Sequence, residues 1–300
     1  MKITELNEIY SILELIEQEA LQVIALIYEP HTYTDIIDVV RALSKSTVTR
    51  KMMTYYETKN VINELAPDFL LQNDKGHWFM SDQNSNQIVF HYCLKNPRLA
   101  QYRQVILKKF PLLSTFYSSW HNGQYIYPRV LREFRLNFLL NDIDSCINLM
   151  IDSYGPDFNN AERWRFFATT ITDIFNTDLI ERVPQDMRED VLALIISNRI
   201  KKFSPLEDII LYLKPKIHDP IFPHYFFQLG ECYLLRGNFT ELEALFPNNI
   251  TFTYFLMPIM ELLKGNLNDS WKLFSEEIEI SKNSMGKKNM FPHSSHGLYF

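Results

Sequence analysis

The sequence predicts a mainly α-helical protein that begins with a winged helix-turn-helix and continues as an irregular array of tetratricopeptide-like (TPR-like) helical hairpins. Glycine is scarce, with 8 in 300 residues, while 46% of residues are hydrophobic and 14% are aromatic, a composition that favours packed helices over tight-turned β-structure. Helix–turn–helix phrases also recur along the second half of the chain. We therefore expect a winged helix over 1–82, a helical connector and linker over 83–127, and helical repeats over 128–300.

Apolar residues at helical spacing predict three helices at the start of the chain. The first spans residues 5–28 and ends before Pro30, since the residue that precedes a proline is pushed out of the α region. The second spans about 33–43. The third spans about 47–64, after a polar turn, and Pro67 is expected to stop it.

A predicted β-hairpin over 69–80 follows these helices, because two apolar runs flank the turn-forming Asn73-Asp74-Lys75-Gly76. Three helices and then a hairpin is the element order of a winged helix-turn-helix. In a DNA-reading member of that class, the first turns of the third helix enter the major groove and the hairpin flanks it. The candidate DNA-contacting residues are accordingly Ser46, Thr47, Thr49, Arg50, Lys51, Lys59, Lys75 and His77.

The charge distribution leaves the ligand of this winged helix open. The chain carries a net charge of −6, which does not indicate a nucleic-acid-binding protein as a whole. Residues 41–110, however, hold eleven basic and five acidic side chains, a local excess that could attract double-stranded DNA or be ordinary surface charge. Winged helices also bind proteins, so DNA contact and protein docking are both compatible with the pattern.

The rest of the chain reads as helices. Residues 84–112 form one helix or two, and residues 118–128 resemble a linker. Three later phrases, at 136–150, 232–246 and 260–274, each place a Gly, Asn or Asp turn between two apolar helices. This is the pattern of a helical repeat. The distances between the turns are unequal, so we expect an irregular array that docks a protein partner.

No catalytic, metal-binding or cofactor-binding motif stands out in the sequence. Gly286-Lys287-Lys288 lacks the upstream Gly and the Ser or Thr of a phosphate-binding loop. His293 and His296 are a close pair without a third ligand nearby. The three cysteines are far apart, which indicates buried thiols in a reducing compartment. The expectation is that this chain has no catalytic residues, no metal and no cofactor.

The start of the chain also lacks the features of a secretory leader. Acidic residues interrupt its apolar pattern, and no segment approaches the roughly 18 apolar residues that are required to cross a bilayer. We expect a cytoplasmic protein that does not enter a membrane.

Three segments resemble the region ahead of the motor in large bacterial Swi/Snf-type helicases. They are the arginine- and leucine-rich phrase at 131–150, the stretch at 172–196 around an apolar-Pro-x-x-apolar core, and residues 256–300, where the resemblance is closest. The last segment has an apolar helix, a Gly turn, a long helix, a Gly-Lys-Lys segment and an apolar Gly-Leu-Tyr-Phe phrase. The family's ATPase motifs have no counterpart here.

The resemblance implies a non-catalytic N-terminal region of such a translocase. Its winged helix would bind DNA or a partner, and its repeats would dock a protein or the downstream motor domain. Because residues 297–300 close on an apolar phrase, we expect the natural chain to continue. The alternative is a stand-alone winged-helix transcription regulator whose helical repeats sense a peptide or protein, which would usually dimerise on paired half-sites.

Overall fold

The computed structural model describes residues 3–27, 30–45, 54–81, 83–111, 128–154, 160–172, 175–221, 224–246 and 250–285. The chain divides into two compact units, Met1–Ser204 and Pro205–Phe300. The predicted domain limits after residues 82 and 127 stay predictions, and the linker predicted at 118–128 lies almost entirely outside the described residues.

The first unit holds eleven described α-helices, a short 3-10 helix at Gln185–Met187 and one two-stranded sheet. The helices are α1 (Ile3–Ile12), α2 (Leu15–Ile27), α3 (Tyr33–Lys45), α4 (Tyr55–Phe69), α5 (Gln83–Lys95), α6 (Leu99–Lys109), α7 (Pro128–Leu139), α8 (Ile143–Tyr154), α9 (Asn160–Thr172), α10 (Thr177–Arg182) and α11 (Arg188–Lys201); the strands are β1 (Leu70–Gln72) and β2 (Trp78–Met80). The predicted mainly α class is thereby confirmed.

Helix α2 is the central element of this unit because it is apolar on nearly every side. All residues from Glu19 to Ile27 are buried, which is expected of a helix with no solvent face. Helices α3, α4, α5 and α7 and strand β2 pack around it.

The single helix predicted over 5–28 is wrong, since the structure divides it into α1 and α2. The backbone N–H of Glu14 donates to Oε2 of Glu17 at 2.6 Å, and the side-chain amide of Gln18 donates to the carbonyls of Tyr10 and Leu13. These side chains satisfy the backbone groups that a helix break exposes. The break therefore costs little, although the apolar period continues across it.

The predicted hairpin is confirmed and follows α4 directly. Strands β1 and β2 pair antiparallel with Leu71 opposite Phe79. The expectation that Pro67 stops the preceding helix is wrong, because α4 continues to Phe69. A proline this close to a helix end removes few backbone bonds, and Phe69 is only 1% exposed, so its burial favours the last turn.

A third chain segment joins the sheet. The backbone N–H of His31 donates to the carbonyl of Trp78 at 3.1 Å, and the N–H of Trp78 donates back at 2.8 Å. The segment between α2 and α3 thus lies beside β2, on the side away from β1.

The second unit contains α12 (Glu207–Leu213), α13 (Tyr225–Arg236), α14 (Phe239–Leu245), α15 (Ile250–Leu263) and α16 (Leu267–Met285). Helix α13 packs on α12, α14 and α15, and α15 packs on α16.

The three predicted helix–turn–helix phrases are confirmed as hairpins, namely α7–α8, α13–α14 and α15–α16. Each turn begins with a residue at positive φ, Asn141 at 60°, Gly237 at 69° and Gly265 at 87°. In each turn, two successive N–H groups return to the carbonyls of the preceding helix, the arrangement of a Schellman motif. The three hairpins therefore share the conformation and hydrogen bonding of their turns, but they do not share a constant repeat length.

Candidate interaction surface

Helix α4 is fixed at its start by a capping box. The N–H of Thr54 donates to Oε2 of Glu57 at 2.6 Å, and the N–H of Glu57 donates to Oγ1 of Thr54 at 3.2 Å. This reciprocal pair satisfies two donors that the first turn leaves free. The helix predicted over 47–64 therefore does not run through Thr54, which lies just outside α4.

The outward face of α4 presents tyrosine and asparagine. Val61, Ile62 and Leu65 point into the core, and the opposite side carries the exposed Tyr56, Asn60 and Asn63. Tyr56 is 77% exposed, and its ring meets that of Tyr55 edge-on with 5.8 Å between the centroids. A tyrosine this exposed offers a large amphipathic surface to a ligand.

Tyr33 and Trp78 form an aromatic cluster that contacts side chains of α4. The ring of Tyr33 on α3 lies 5.0 Å from that of Trp78 on β2, and Nζ of Lys59 lies 5.6 Å from the Tyr33 centroid. The Tyr33 hydroxyl donates to Oδ1 of Asn63, and burial raises the pKa of Tyr33, so the hydroxyl remains a donor. The cluster connects α3, α4 and β2 and orients Lys59.

The hairpin turn is held by one asparagine. Oδ1 of Asn73 accepts hydrogen bonds from the N–H groups of Lys75 and His77, each at 3.0 Å. Gly76 has a φ of 76°, a conformation that favours glycine. Lys75 is exposed and His77 is half-buried. The two residues therefore lie at the turn, as the sequence suggests, while their contact with DNA stays a prediction.

Three of the predicted DNA-contacting residues, Lys59, Lys75 and His77, are thus placed on α4 and the hairpin. The other five, Ser46, Thr47, Thr49, Arg50 and Lys51, lie outside the described residues. Sequence reasoning allowed Tyr56 to be either a core residue or part of an interaction face, and it missed the roles of Tyr33 and Asn63. The T-x-x-E spacing of Thr54 and Glu57 signals where α4 begins.

Some of the basic side chains in residues 41–110 form ion pairs with acidic side chains of the same chain. Nη1 of Arg98 lies 2.5 Å from Oε1 of Glu19, whose side chain is 3% exposed. Nζ of Lys109 lies 2.7 Å from Oδ2 of Asp38 and 3.6 Å from Oδ1 of Asp35. These acids come from residues 1–40, which hold one basic and eight acidic side chains. The acidic segment therefore partly neutralises the basic segment at 41–110.

The Arg98 guanidinium is the centre of a partly buried polar network, since its side chain is 23% exposed. Its Nη2 donates to the carbonyl of Leu43 at 2.8 Å. Beside it, the Asn96 amide donates to Gln22 at 2.5 Å, and Gln22 donates to the Tyr10 hydroxyl at 2.8 Å. The network binds the turn between α5 and α6 to α2 and α3, where Arg98 stabilises the fold.

His31, which pairs with Trp78, has a perturbed imidazole. Burial lowers the pKa of His31 to about 4, aided by Arg132, His77 and Arg129, while Asp35 opposes the shift. Its ring lies 4.3 Å from the ring of Phe110. His31 is therefore neutral at physiological pH and acts as a packed aromatic group.

In the second unit, apolar side chains of α16 reach solvent. Trp271 is 69% exposed and Leu267 is 65% exposed, and the two are one helical turn apart. Exposed tryptophan is unusual and is enriched where proteins bind one another. Asp269 and Glu276 are also exposed, but helical spacing places them on the opposite side of α16 from Leu267 and Trp271.

The cysteines are packed groups, as their isolation in the sequence predicts. Cys93, Cys146 and Cys232 are free and buried, and burial raises the pKa of the Cys93 and Cys146 thiols. His91 is exposed and its Nε2 lies 2.8 Å from Nζ of Lys95, whereas Cys93 is fully buried. The two side chains therefore lie on different sides of α5.

The described residues show neither a cluster of metal ligands nor a membrane-spanning helix. They contain no group of three His, Cys, Asp or Glu side chains placed to hold a metal ion. None of the helices that the structure describes has the length and apolar character needed to span a membrane.

Comparison with known proteins gave no match to a family model, to a curated protein or to a solved structure. The functional interpretation therefore depends on the surfaces described above.

Proposed function

We propose that this chain is a non-catalytic binding region in which a winged helix-turn-helix and a set of helical hairpins each dock a protein. The observation that carries the proposal is the outward face of α4, where Tyr56 is 77% exposed beside the exposed Asn60 and Asn63. Tyrosine in such a setting supplies binding area at a low cost in conformational entropy.

The order of elements supports a winged helix. Helix α2, the extended segment at His31, α3, α4 and the hairpin follow one another in the chain, and His31 adds a third short segment beside β2. In this arrangement α4 takes the position of the recognition helix. Its outward face is then the surface that a ligand meets first.

Electrostatics favours a protein over DNA as that ligand. Residues 1–82 hold seven basic and thirteen acidic side chains, and Lys59 on α4 is accompanied by the exposed Glu57, Glu64 and Asp68. Binding to duplex DNA draws most of its affinity from phosphate contacts by Lys and Arg. A surface with more carboxylates than ammonium groups is poorly suited to that task.

The resemblance to the region ahead of the motor in bacterial Swi/Snf-type helicases gives a candidate partner. On this proposal, the α4 face or the helical hairpins hold the motor domain or a protein that acts with it. The cytoplasm is the expected compartment.

Double-stranded DNA is the second candidate ligand, and the hairpin favours it. Lys75 is exposed at the turn beside His77, which is where the wing of a DNA-binding winged helix contacts phosphates. Arg50 and Lys51 precede α4 in the sequence and would add two charges to such a footprint.

A salt titration separates the two candidates. We would measure the affinity of the whole chain for a fluorescent DNA duplex over a range of salt concentrations, together with variants K59A and K75A. Protein docking predicts that binding to the duplex is too weak to measure near physiological salt, and that K59A and K75A leave any residual binding at low salt unchanged. A salt slope that falls by about 1 in each variant would show phosphate contacts and support DNA.

A further inference from the structure

One face of α13 combines apolar side chains with a carboxylate that has no partner among the residues that the structure describes. Phe227, Glu231 and Leu235 follow each other at intervals of four residues, so they lie on one side of the helix. We call this the Glu231 face. Leu235 is 51% exposed, and Phe227 and Glu231 are partly exposed. The face therefore reaches solvent even though α13 packs on α12, α14 and α15.

Glu231 is in an environment that disfavours its charge. Burial raises the pKa of Glu231 to about 7, and burial is the only cause of the shift among the described residues. A desolvated carboxylate is normally paired with a cation or a hydrogen-bond donor. Of the described residues, none donates a hydrogen bond to Glu231 or forms an ion pair with it.

Three cations on α13 and on the elements next to it interact with other side chains. Arg236 at the end of α13 pairs with Glu207 on α12 at 3.3 Å. Nζ of Lys264, just after α15, pairs with Glu243 and Glu261. Nζ of Lys216 lies over the ring of Tyr212 at 4.4 Å.

The net negative charge of the second unit also favours a basic partner. Residues 205–285 hold six basic and eleven acidic side chains, so the surroundings of the Glu231 face attract a basic partner. Apolar groups on both sides of the carboxylate would exclude water from an ion pair formed there. Such shielding strengthens a charge-assisted hydrogen bond.

From this geometry we infer that the Glu231 face binds a protein segment that places a Lys or Arg side chain on Glu231 and apolar side chains on Phe227 and Leu235. The inference rests on the proposed docking role of the helical hairpins and specifies the chemistry of the partner. The cation would convert Glu231 from a partly protonated group into a fully ionised one. Binding would therefore release a proton.

The test begins with a phage-displayed library of random linear peptides, selected on the complete chain. We expect enriched peptides that carry Lys or Arg between apolar residues. In E231Q, which keeps the shape of the side chain, affinity for these peptides should fall at least about thirtyfold. E241Q removes an exposed carboxylate from α14 and serves as the matched control, with unchanged affinity.

Calorimetry in buffers of different ionisation enthalpy gives a second readout. Because burial raises the pKa of Glu231 to about 7, binding of an enriched peptide at pH 7 should release a fraction of a proton from wild type and from E241Q. E231Q should release none. Enriched peptides that bind E231Q as well as wild type, or that release no proton, would overturn the inference.

The outcomes also separate this inference from the proposed function. Peptides that bind E231Q as tightly as wild type but bind W271S more weakly would show that docking occurs on α16. In that case the helical hairpins bind a protein, but not through Glu231. A library that yields no specific peptide would contradict both the inference and the docking role of the second unit.

Discussion

Replacing Arg98 by methionine should destabilise the first unit strongly. Its guanidinium is 2.5 Å from the carboxylate of Glu19, a side chain that is 3% exposed, and it also donates to the Leu43 carbonyl. R98M leaves that carboxylate buried without its cation. Breaking a buried pair from one side costs about 3–5 kcal/mol in the free energy of unfolding.

Two further variants test the origin of that cost. In the double variant E19M/R98M, no charge is left unpaired, so much of the lost stability should return. R236M removes an ion pair at a similar type of helix contact, but Glu207 is 67% exposed there. That exposed pair should contribute less than about 1 kcal/mol.

Urea denaturation of the complete chain, with hydrogen exchange of the α2 amides as the local readout, measures these differences. We expect exchange in α2 to accelerate sharply in R98M and to change little in R236M. If R98M costs no more than R236M, or if the double variant is less stable than R98M, then Arg98 does not neutralise Glu19 in the folded protein.

Three smaller perturbations test other contacts. T54A should cost about 1 kcal/mol by removing the cap of α4, while T54S keeps it; circular dichroism and α4 amide exchange would show fraying in T54A alone. Because the pKa of His31 is about 4 in the folded protein and about 6.5 when unfolded, the stability that its neutral form confers is present above pH 6.5. That stability is lost as the pH falls toward 4, by roughly 3 kcal/mol at most, and H31Q should flatten this part of a stability–pH curve. G76A should cost about 1 kcal/mol, since φ is 76° there, and equal melting temperatures for G76A and wild type would contradict a strained turn.

The features that the sequence predicts well are local. The hairpin at Asn73–Gly76 and the turns at Asn141, Gly237 and Gly265 follow from residues that tolerate positive φ. Apolar periodicity places most helices for the same reason, because a few neighbouring residues determine the signal.

Helix ends were predicted less well. The break between α1 and α2 and the start of α4 after Thr54 depend on single hydrogen bonds from Glu17 and Glu57. Each of these hydrogen bonds contributes little free energy compared with the burial of the apolar residues on both sides of it. Because the apolar pattern continues across the helix boundary, periodicity alone does not detect the boundary.

The candidate sites depend on contacts that are distant in sequence. Arg98 and Glu19 are 79 residues apart, and their pairing removes a cation from the predicted basic surface. Likewise, the exposure of Tyr56 and the desolvation of Glu231 arise from packing between helices, which composition and spacing do not specify.

The central claim, that the outward face of α4 binds a protein, is tested most directly by a photocrosslinking amino acid at position 56 of the complete chain in the cells that express it. The control is the same label at Ile12, which is 82% exposed but lies on α1. We predict an adduct at position 56 that resists nuclease, is digested by protease and is absent at position 12. A nuclease-sensitive adduct, or the same adducts at both positions, would contradict the claim.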